Sequence, residues 1–289
     1  MAGIGWLDAG LVGIIGLLIG SFLNVVIHRL PKMLEAQWAA EYAEMQLDNA
    51  DKEVPATTPA EKFNLLVPRS RCPQCGHQIT WYENIPVISY LFLRGKCSAC
   101  CTPISLRYPM VELVTGALFF FCATRFGWSY DTLMWCAFCA AIVALAGIDW
   151  DTTLLPDDIT LPLLWLGLAA ATLRWNPMVS GVSDAIWGAI VGYLALWSVY
   201  WVFKLATGKE GMGYGDFKLL AALGVWFGWQ ALVPIILMSS VIGAVVGIAM
   251  KMTSGLREGG YIPFGPFLAG AGLTALIFGP QSILRAVGL

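Results

Sequence analysis

The chain has 289 residues, of which 58% are hydrophobic and only 12% are charged. Soluble domains carry about 25% charged residues, so this composition excludes an ordinary soluble enzyme and predicts an all-α polytopic membrane protein. The formal net charge of -2 carries little information by itself, and the position of the charges matters more. We expect a lipid bilayer and no nucleic acid as partners.

The first apolar run covers residues 4–27, which is long enough to cross about 30 Å of hydrocarbon at ~1.5 Å per residue. Its amino end lacks Lys and Arg, and no small-residue cleavage site is obvious, so we interpret it as a retained span. Residues 28–108 then hold nine of the 17 Lys and Arg residues and five of the eight cysteines. The sequence therefore predicts a first transmembrane helix at 1–27, a small polar domain at 28–108 and a membrane domain at 109–289.

Within the polar domain, Pro31 predicts a helix stop. The helix-forming composition of residues 33–48 predicts a separate amphipathic helix near the membrane surface, and the Pro- and Thr-rich residues 51–59 predict a linker. Acidic residues in this region would either attract a basic substrate or form an ordinary solvated face. They are Glu35, Glu41, Glu44, Asp48, Asp51, Glu53 and Glu61.

Apolar runs resume after residue 109 and predict seven more spans, which makes about eight transmembrane helices in all. The run from 217 to 252 is too long for one span and is divided at Phe227-Gly228-Trp229-Gln230. The seven predicted spans are 110–126, 131–148, 158–174, 183–205, 217–231, 232–252 and 262–284.

Positive charge predicts the orientation of these spans. If residues 28–108 are cytosolic, fourteen of the 17 Lys and Arg residues lie inside, and only Arg125, Arg174 and Arg285 lie outside. The polar domain is therefore expected in the cytosol.

Four cysteines form two CxxC pairs in this domain. Cys72 and Cys75 make one pair, and Cys97 and Cys100 make the other. Because the cytosol is reducing, this pattern indicates a structural tetrahedral Zn²⁺ site and not disulfides. Cys101 is interpreted as a spare thiol that could compete for the metal, and His77 is a less favoured alternative ligand.

One carboxylate, Asp216, follows three alternating glycines in Gly211-Met212-Gly213-Tyr214-Gly215 and precedes an apolar run. Backbone without side chains beside an acid suits chemistry on a peptide backbone, since Gly213 and Gly215 permit close approach of a substrate strand. The alternative interpretation of these glycines is a flexible loop between two helices. Peptide hydrolysis without a metal needs a second carboxyl group that shares a proton with the first.

Candidates for the second acid lie in the turn between the predicted third and fourth spans, at Asp149, Asp151, Asp157 and Asp158. Asp157 and Asp158 precede an apolar helix and are interpreted as its N-cap. Asp149 and Asp151 stand at a helix end, where the dipole disfavours anions, and they point about 200° apart, so only one faces Asp216. We choose Asp149 because it lies deeper in the span, and Asp151 remains the alternative.

The ordered motifs resemble the type IV prepilin peptidases, which are membrane aspartic proteases of the GxGD class. The resemblance rests on the Asp149 motif, on Gly213-x-Gly215-Asp216, and on four further segments. These segments are GSFLNVVIHRLP at 20–31, ENIPVISY at 83–90, LRGKC at 93–97 and ISLRYPMVE at 104–112.

The resemblance implies a catalytic dyad at Asp149 and Asp216, in the inner membrane of a bacterium and facing the cytosol. It also implies cleavage of the basic leader from type IV prepilins and type II secretion pseudopilins within the lipid bilayer. Relatives with the cysteine domain methylate the new N-terminus with S-adenosylmethionine, for which the sequence assigns no binding residue. The alternatives are a peptidase without methyl transfer, and a non-enzymatic assembly scaffold or transporter whose intramembrane acids carry protons or bind a partner.

Overall fold

The computed structural model describes residues 5–48, 63–253 and 262–287. These residues form ten α-helices and contain no β-strand, so the predicted all-helical class is confirmed. The predicted linker at 51–59 lies outside the described residues, as do the acids Asp51, Glu53 and Glu61. The helices are α1 (Trp6–Asp48), α2 (Ile88–Phe92), α3 (Arg107–Phe126), α4 (Tyr130–Thr152), α5 (Asp157–Thr172), α6 (Val182–Thr207), α7 (Tyr214–Phe227), α8 (Leu232–Thr253), α9 (Gly265–Phe278) and α10 (Pro280–Val287).

Five helical stretches among the described residues are long and apolar enough to cross a membrane, and α9 is a shorter apolar helix. The five are α1, α3, α4, α6 and the stretch Trp229–Met252, which includes most of α8. The predicted count of eight spans is not confirmed, since α5 has 16 residues and α7 has 14. The predicted break between α7 and α8 is confirmed at Gly228, whose φ of 79° ends α7.

The predicted helix stop at Pro31 is wrong, because α1, which is 43 residues long, continues through it to Asp48. Residues 33–48 therefore extend the first span and do not form a separate helix. A mid-helix proline costs ~3 kcal/mol, but the following residues favour helix. In addition, Leu30 and Leu34 pack with Ile148 of α4 in a small apolar cluster that holds this part of α1.

The predicted single span at 262–284 is also divided. Helix α9 ends at Gly279, which has a φ of 84°, and Pro280 begins α10. A glycine with left-handed backbone followed by a proline is a strong helix end, and it accounts for the break.

Helix α7 forms the centre of the membrane domain, with Phe217 and every residue from Leu219 to Phe227 buried. A helix that is apolar on all sides requires neighbours around its whole circumference. Glycines allow the closest of these contacts: a Cβ at Gly188 of α6 would stand only 2.0 Å from the carbonyl oxygen of Gly224. This small-residue contact is typical of helix pairs in membranes.

Side-chain contacts show that the polar domain and the acids lie at the same end of the helices. Arg107, at the start of α3, pairs with Asp151 near the end of α4. Asn24 of α1 donates to the carbonyl of Tyr108 over 3.1 Å. The cysteine domain therefore sits beside the end of the bundle that carries Asp149 and Asp151.

Candidate active site and metal site

Asp149 lies in the last turn of α4 and is only 4% exposed. Its Oδ2 accepts a hydrogen bond of 2.9 Å from the backbone N–H of Gly265, at the start of α9. The positive end of the α9 dipole therefore points at this carboxylate, which compensates for its unfavourable place at the carboxyl end of α4.

Asp216 lies in the first turn of α7 and is 7% exposed. Its carboxylate interacts with the backbone N–H of Gly213, the N-cap residue of that helix, which is half of a capping box. It is also close enough to Asp149 for the two negative charges to repel each other. The structure thus brings the two predicted acids together, although 67 positions separate them in the sequence.

Two buried carboxyl groups that interact in this way cannot both ionise easily, because like charges in a low-dielectric site repel. One is then available to take a proton from water while the other donates one. That division of roles is what metal-free peptide hydrolysis requires.

The side chains of Asp151 and Asp149 have different partners, as expected for two positions about 200° apart on a helix. Asp151 is partly exposed and pairs with the guanidinium of Arg107. Asp157 pairs with Lys218 over 2.7 Å at the surface. The predicted N-cap role of Asp157 and Asp158 is wrong: Pro156 holds the N-cap position, and the two acids occupy the first turn of α5. There they still interact favourably with the helix dipole.

The two glycines before Asp216 differ in their surroundings. A Cβ at Gly215 would lie 2.7 Å from the Cβ of Leu155, so this glycine allows the α4–α5 loop to pack against α7. A Cβ at Gly213 would have only one atom within 4 Å, at 4.0 Å. Of the two, Gly213 is the one with open space beside its backbone.

A cavity of about 360 Å³ is lined by the extension of α1, with Leu34, Gln37 and Trp38, and by Gly215, the residue before Asp216. Neither Asp149 nor Asp216 lines it. Asp158 and Lys218 supply charge on the wall formed by α5 and α7. The unpredicted continuity of α1 is what builds the wall on the α1 side.

The four predicted cysteines converge, with all their sulfur atoms within 4.8 Å of one another. The Sγ atoms of Cys72 and Cys100 are 3.7 Å apart. Tetrahedral Zn–S bonds of about 2.3 Å place sulfurs about 3.8 Å apart, so these residues fit a four-thiolate metal site. The cluster could therefore hold a metal with no open coordination position.

The two cysteine pairs adopt matching turns. The N–H of Gly76 bonds to the carbonyl of Cys72, and the N–H of Cys101 bonds in the same way to Cys97. Gly76 and Cys101 both have left-handed backbone, with φ of 71° and 58°. Cys101 thus occupies the turn position that follows a pair, outside the sulfur cluster. The Nε2 of His77 interacts with Glu83 at 3.2 Å and also lies outside the cluster.

Comparison with known proteins supplies the family. Residues 14–126 match the model of the bacterial peptidase A24 N-terminal domain, and residues 136–248 match that of the type IV leader peptidase family. The chain is 53% identical over 268 residues to the prepilin leader peptidase/N-methyltransferase of Stutzerimonas stutzeri, covering 93% of this chain and 90% of the relative. This chain belongs to the type IV leader peptidase family. The resemblance found in the sequence is confirmed.

Two further similar proteins are also named prepilin leader peptidase/N-methyltransferase. The protein of Aeromonas hydrophila is 53% identical over 283 residues, covering 98% of this chain and 94% of the relative. That of Pseudomonas aeruginosa is 50% identical over 269 residues, covering 93% and 89%. No solved structure matches the chain significantly.

Sequence reasoning missed Gly265 in this leader peptidase. A Cβ there would stand 2.6 Å from Oδ2 of Asp149, so no other residue fits without moving the acid. The only available signal was the Pro263-Phe264-Gly265-Pro266 turn before an apolar run. That turn predicts a helix start but does not indicate which side chain the start contacts.

A second feature that the sequence did not predict is a hydrogen-bond network at Glu210, directly before the glycines at 211–215. Tyr200 of α6 is buried and donates to Oε1 of Glu210 over 3.2 Å. The ammonium of Lys204 donates to the same oxygen over 2.8 Å and to the hydroxyl of Tyr200 over 3.0 Å. Glu210 directly precedes the glycines, so this network fixes the chain shortly before Asp216.

Proposed function

We propose that this chain is a membrane-embedded aspartic endopeptidase in which Asp149 and Asp216 form the catalytic dyad. The observation that carries the proposal is the burial and mutual interaction of these two carboxylates at one end of the helix bundle. One acid removes a proton from the attacking water while the other protonates the carbonyl oxygen. When the tetrahedral intermediate collapses, the second acid takes its proton back from the hydroxyl group and the first passes the proton from water to the leaving amine.

The surroundings of the dyad support a peptide substrate. The open backbone at Gly213 leaves room for an extended strand, and the cavity lined by Gly215 and the extension of α1 offers space nearby for substrate side chains. Backbone that approaches backbone closely favours recognition of a strand by main-chain hydrogen bonds. The hydrogen bond from Gly265 keeps Asp149 in one orientation during this approach.

We propose type IV prepilins as the substrates, since the similar proteins of Stutzerimonas, Aeromonas and Pseudomonas are named for prepilin leaders. Pseudopilins of type II secretion are proposed as further substrates. Both would meet the enzyme in the lipid bilayer, where an apolar substrate helix and the multi-pass helices of this chain diffuse in two dimensions. The cleavage site would then lie at the end of the substrate's span.

We further propose that the chain methylates the new N-terminus with S-adenosylmethionine as the methyl donor. The support is the N-methyltransferase part of the relatives' names and their coverage of the whole cysteine domain. Zn²⁺ is the metal that we propose for Cys72, Cys75, Cys97 and Cys100, because four thiolates in the cytosol select it. Its contribution would be structural and would hold together a small domain with little core of its own.

The proposed organisation is a first transmembrane helix at 1–27, a cytosolic zinc domain at 28–108 and a membrane peptidase domain at 109–289. We place the protein in the bacterial inner membrane, with the dyad at the cytosolic face. The position of the dyad beside the cysteine domain and the excess of Lys and Arg on that side support this orientation.

The test is cleavage of a purified prepilin in liposomes by four proteins: the wild type and the variants Asp149→Asn, Asp216→Asn and Asp151→Asn. Mass spectrometry of the new N-terminus detects both cleavage and methylation. We expect loss of cleavage at positions 149 and 216, survival at 151, and a methyl mass shift only with S-adenosylmethionine. Loss at 151 with survival at 149 would move the dyad, and equal cleavage by all four would support a scaffold.

A further inference from the structure

The segment ENIPVISY at residues 83–90 has no part in the proposed dyad, yet it is tied to the rest of the protein at both ends. At its start, the carboxylate of Glu83 accepts from the N–H of Thr80 over 2.8 Å and from its hydroxyl over 2.7 Å. Hydrogen bonds from Ser98 and Thr80 lower the pKa of Glu83 to about 2. Since Ser98 lies within the second cysteine pair, Glu83 attaches the segment to the metal site.

The other end of the segment is attached to a membrane helix. The backbone N–H of Val87 donates to Oε2 of Glu112 on α3 over 2.8 Å, and Glu112 is itself buried. Glu112 lies about 7 Å along the axis from Arg107, where α3 begins, at ~1.5 Å per residue. Val87 also has an uncommon φ of 60°, which turns the chain into α2 at this level. Helix α2 therefore begins beside the first turns of α3.

Helix α2 exposes an apolar face at this level. Ile88, Leu91 and Phe92 are 51%, 68% and 85% exposed, and their spacing of three and four positions puts them on one side of the helix. Trp81 is 81% exposed and stacks edge-on against Tyr82, just before the segment. Exposed apolar groups of this size on a small polar domain mark a contact surface.

We propose that α2, together with Trp81 and Tyr82, inserts into the headgroup region of the bilayer and anchors the cysteine domain on the membrane surface. The first reason is continuity with the lipid-facing surface of α3. Met110 and Leu113 of α3 are 60% and 51% exposed and lie on either side of the level of Glu112. The apolar face of α2 therefore begins at the level along α3 where these exposed apolar residues lie.

The second reason is the type of residue on either side of α2. Arg94 and Lys96 follow α2 directly, and both are exposed. Basic residues beside an apolar helix attract anionic lipid headgroups, and Trp and Tyr prefer the interface between hydrocarbon and water. We therefore assign lipid to this surface, and the test below distinguishes lipid from a protein partner.

The test places a photo-crosslinking residue at one position of the full-length protein in nanodiscs of phosphatidylethanolamine and phosphatidylglycerol. The variants are Phe92→p-benzoylphenylalanine, the matched control Gln74→p-benzoylphenylalanine, and the reference Leu113→p-benzoylphenylalanine on α3. Gln74 is exposed on the same domain but within the first cysteine pair. Mass spectrometry after irradiation measures lipid adducts. We expect a yield at position 92 close to that at 113 and on the order of tenfold above that at 74.

A yield at position 92 no higher than at 74 would overturn the proposal, as would adducts formed mainly with a second protein chain. A second measurement uses Leu91→Asp/Phe92→Asp, compared with Gln74→Asp, in limited proteolysis of the same nanodiscs. We expect faster cleavage within residues 81–96 only in the first variant, at unchanged metal content. Equal cleavage of both variants would contradict the anchor. Neither readout depends on peptidase activity, so failure of the anchor and failure of the proposed function are distinguishable.

Discussion

Replacing Gly265 by alanine tests the position of Asp149 without changing any titratable group. The new Cβ would stand 2.6 Å from Oδ2 of Asp149 and 3.1 Å from its Cγ. Ordinary contacts of a Cβ are about 3.4 Å or longer, so the carboxylate must move by roughly an ångström, which costs about 10²-fold in rate at a preorganised site. We expect Gly265→Ala to lower kcat for prepilin cleavage by about that factor, with little change in KM.

The assay is cleavage of purified prepilin in liposomes under steady-state conditions. The matched control is Gly270→Ala in the same helix, because a Cβ at Gly270 has no atom within 4 Å. The control should cleave at the wild-type rate, and both variants should give the same thermal midpoint within a few degrees. If Gly265→Ala cleaves as fast as the control, the contact with Asp149 does not govern catalysis and the reasoning is refuted.

Two further predictions concern the metal site and the helix core. Cys72→Ser and Cys97→Ser should each lose bound zinc, measured by elemental analysis, whereas Cys101→Ser should retain it because that thiol lies outside the sulfur cluster; zinc loss at 101 would contradict the assignment. Gly188→Ala should destabilise the membrane domain by ~1–3 kcal/mol or more, because its Cβ would overlap the backbone of Gly224. A thermal midpoint equal to that of Gly270→Ala would argue against this contact.

The sequence predicted those features of the structure that follow from the chemistry of one residue type or from the length of an apolar run. Long apolar runs predicted membrane helices, and the glycine at 228 predicted the break after α7. The two CxxC pairs predicted the convergence of four sulfurs, because each pair forms a short turn that presents two thiolates, and two such turns complete a tetrahedral site. Each of these inferences depends on local chemistry or on length.

The failures have a common cause in tertiary packing. Pro31 is a helix breaker by its covalent structure, yet contacts of Leu30 and Leu34 with Ile148 hold α1 together across it. The contact of Gly215 with Leu155 of the α4–α5 loop likewise depends on packing between distant segments and has no signal in the sequence. Short helices such as α5 and α7 cannot be distinguished by composition from full spans, so the number of crossings did not follow from hydropathy.

The environment of Asp149 shows why the sequence could propose a pair of acids but could not explain how they are held. An acid at the carboxyl end of a helix faces an unfavourable dipole, and the sequence around position 149 contains nothing to offset it. The compensation comes from the N–H of Gly265 at the start of α9, 116 positions later. Asp216 needs no such distant partner, since it occupies the favourable first turn of its own helix. The two acids are thus held by opposite means, one by its own helix and one by a distant helix, and this difference predicts that substitutions at the start of α9 displace Asp149 more than Asp216.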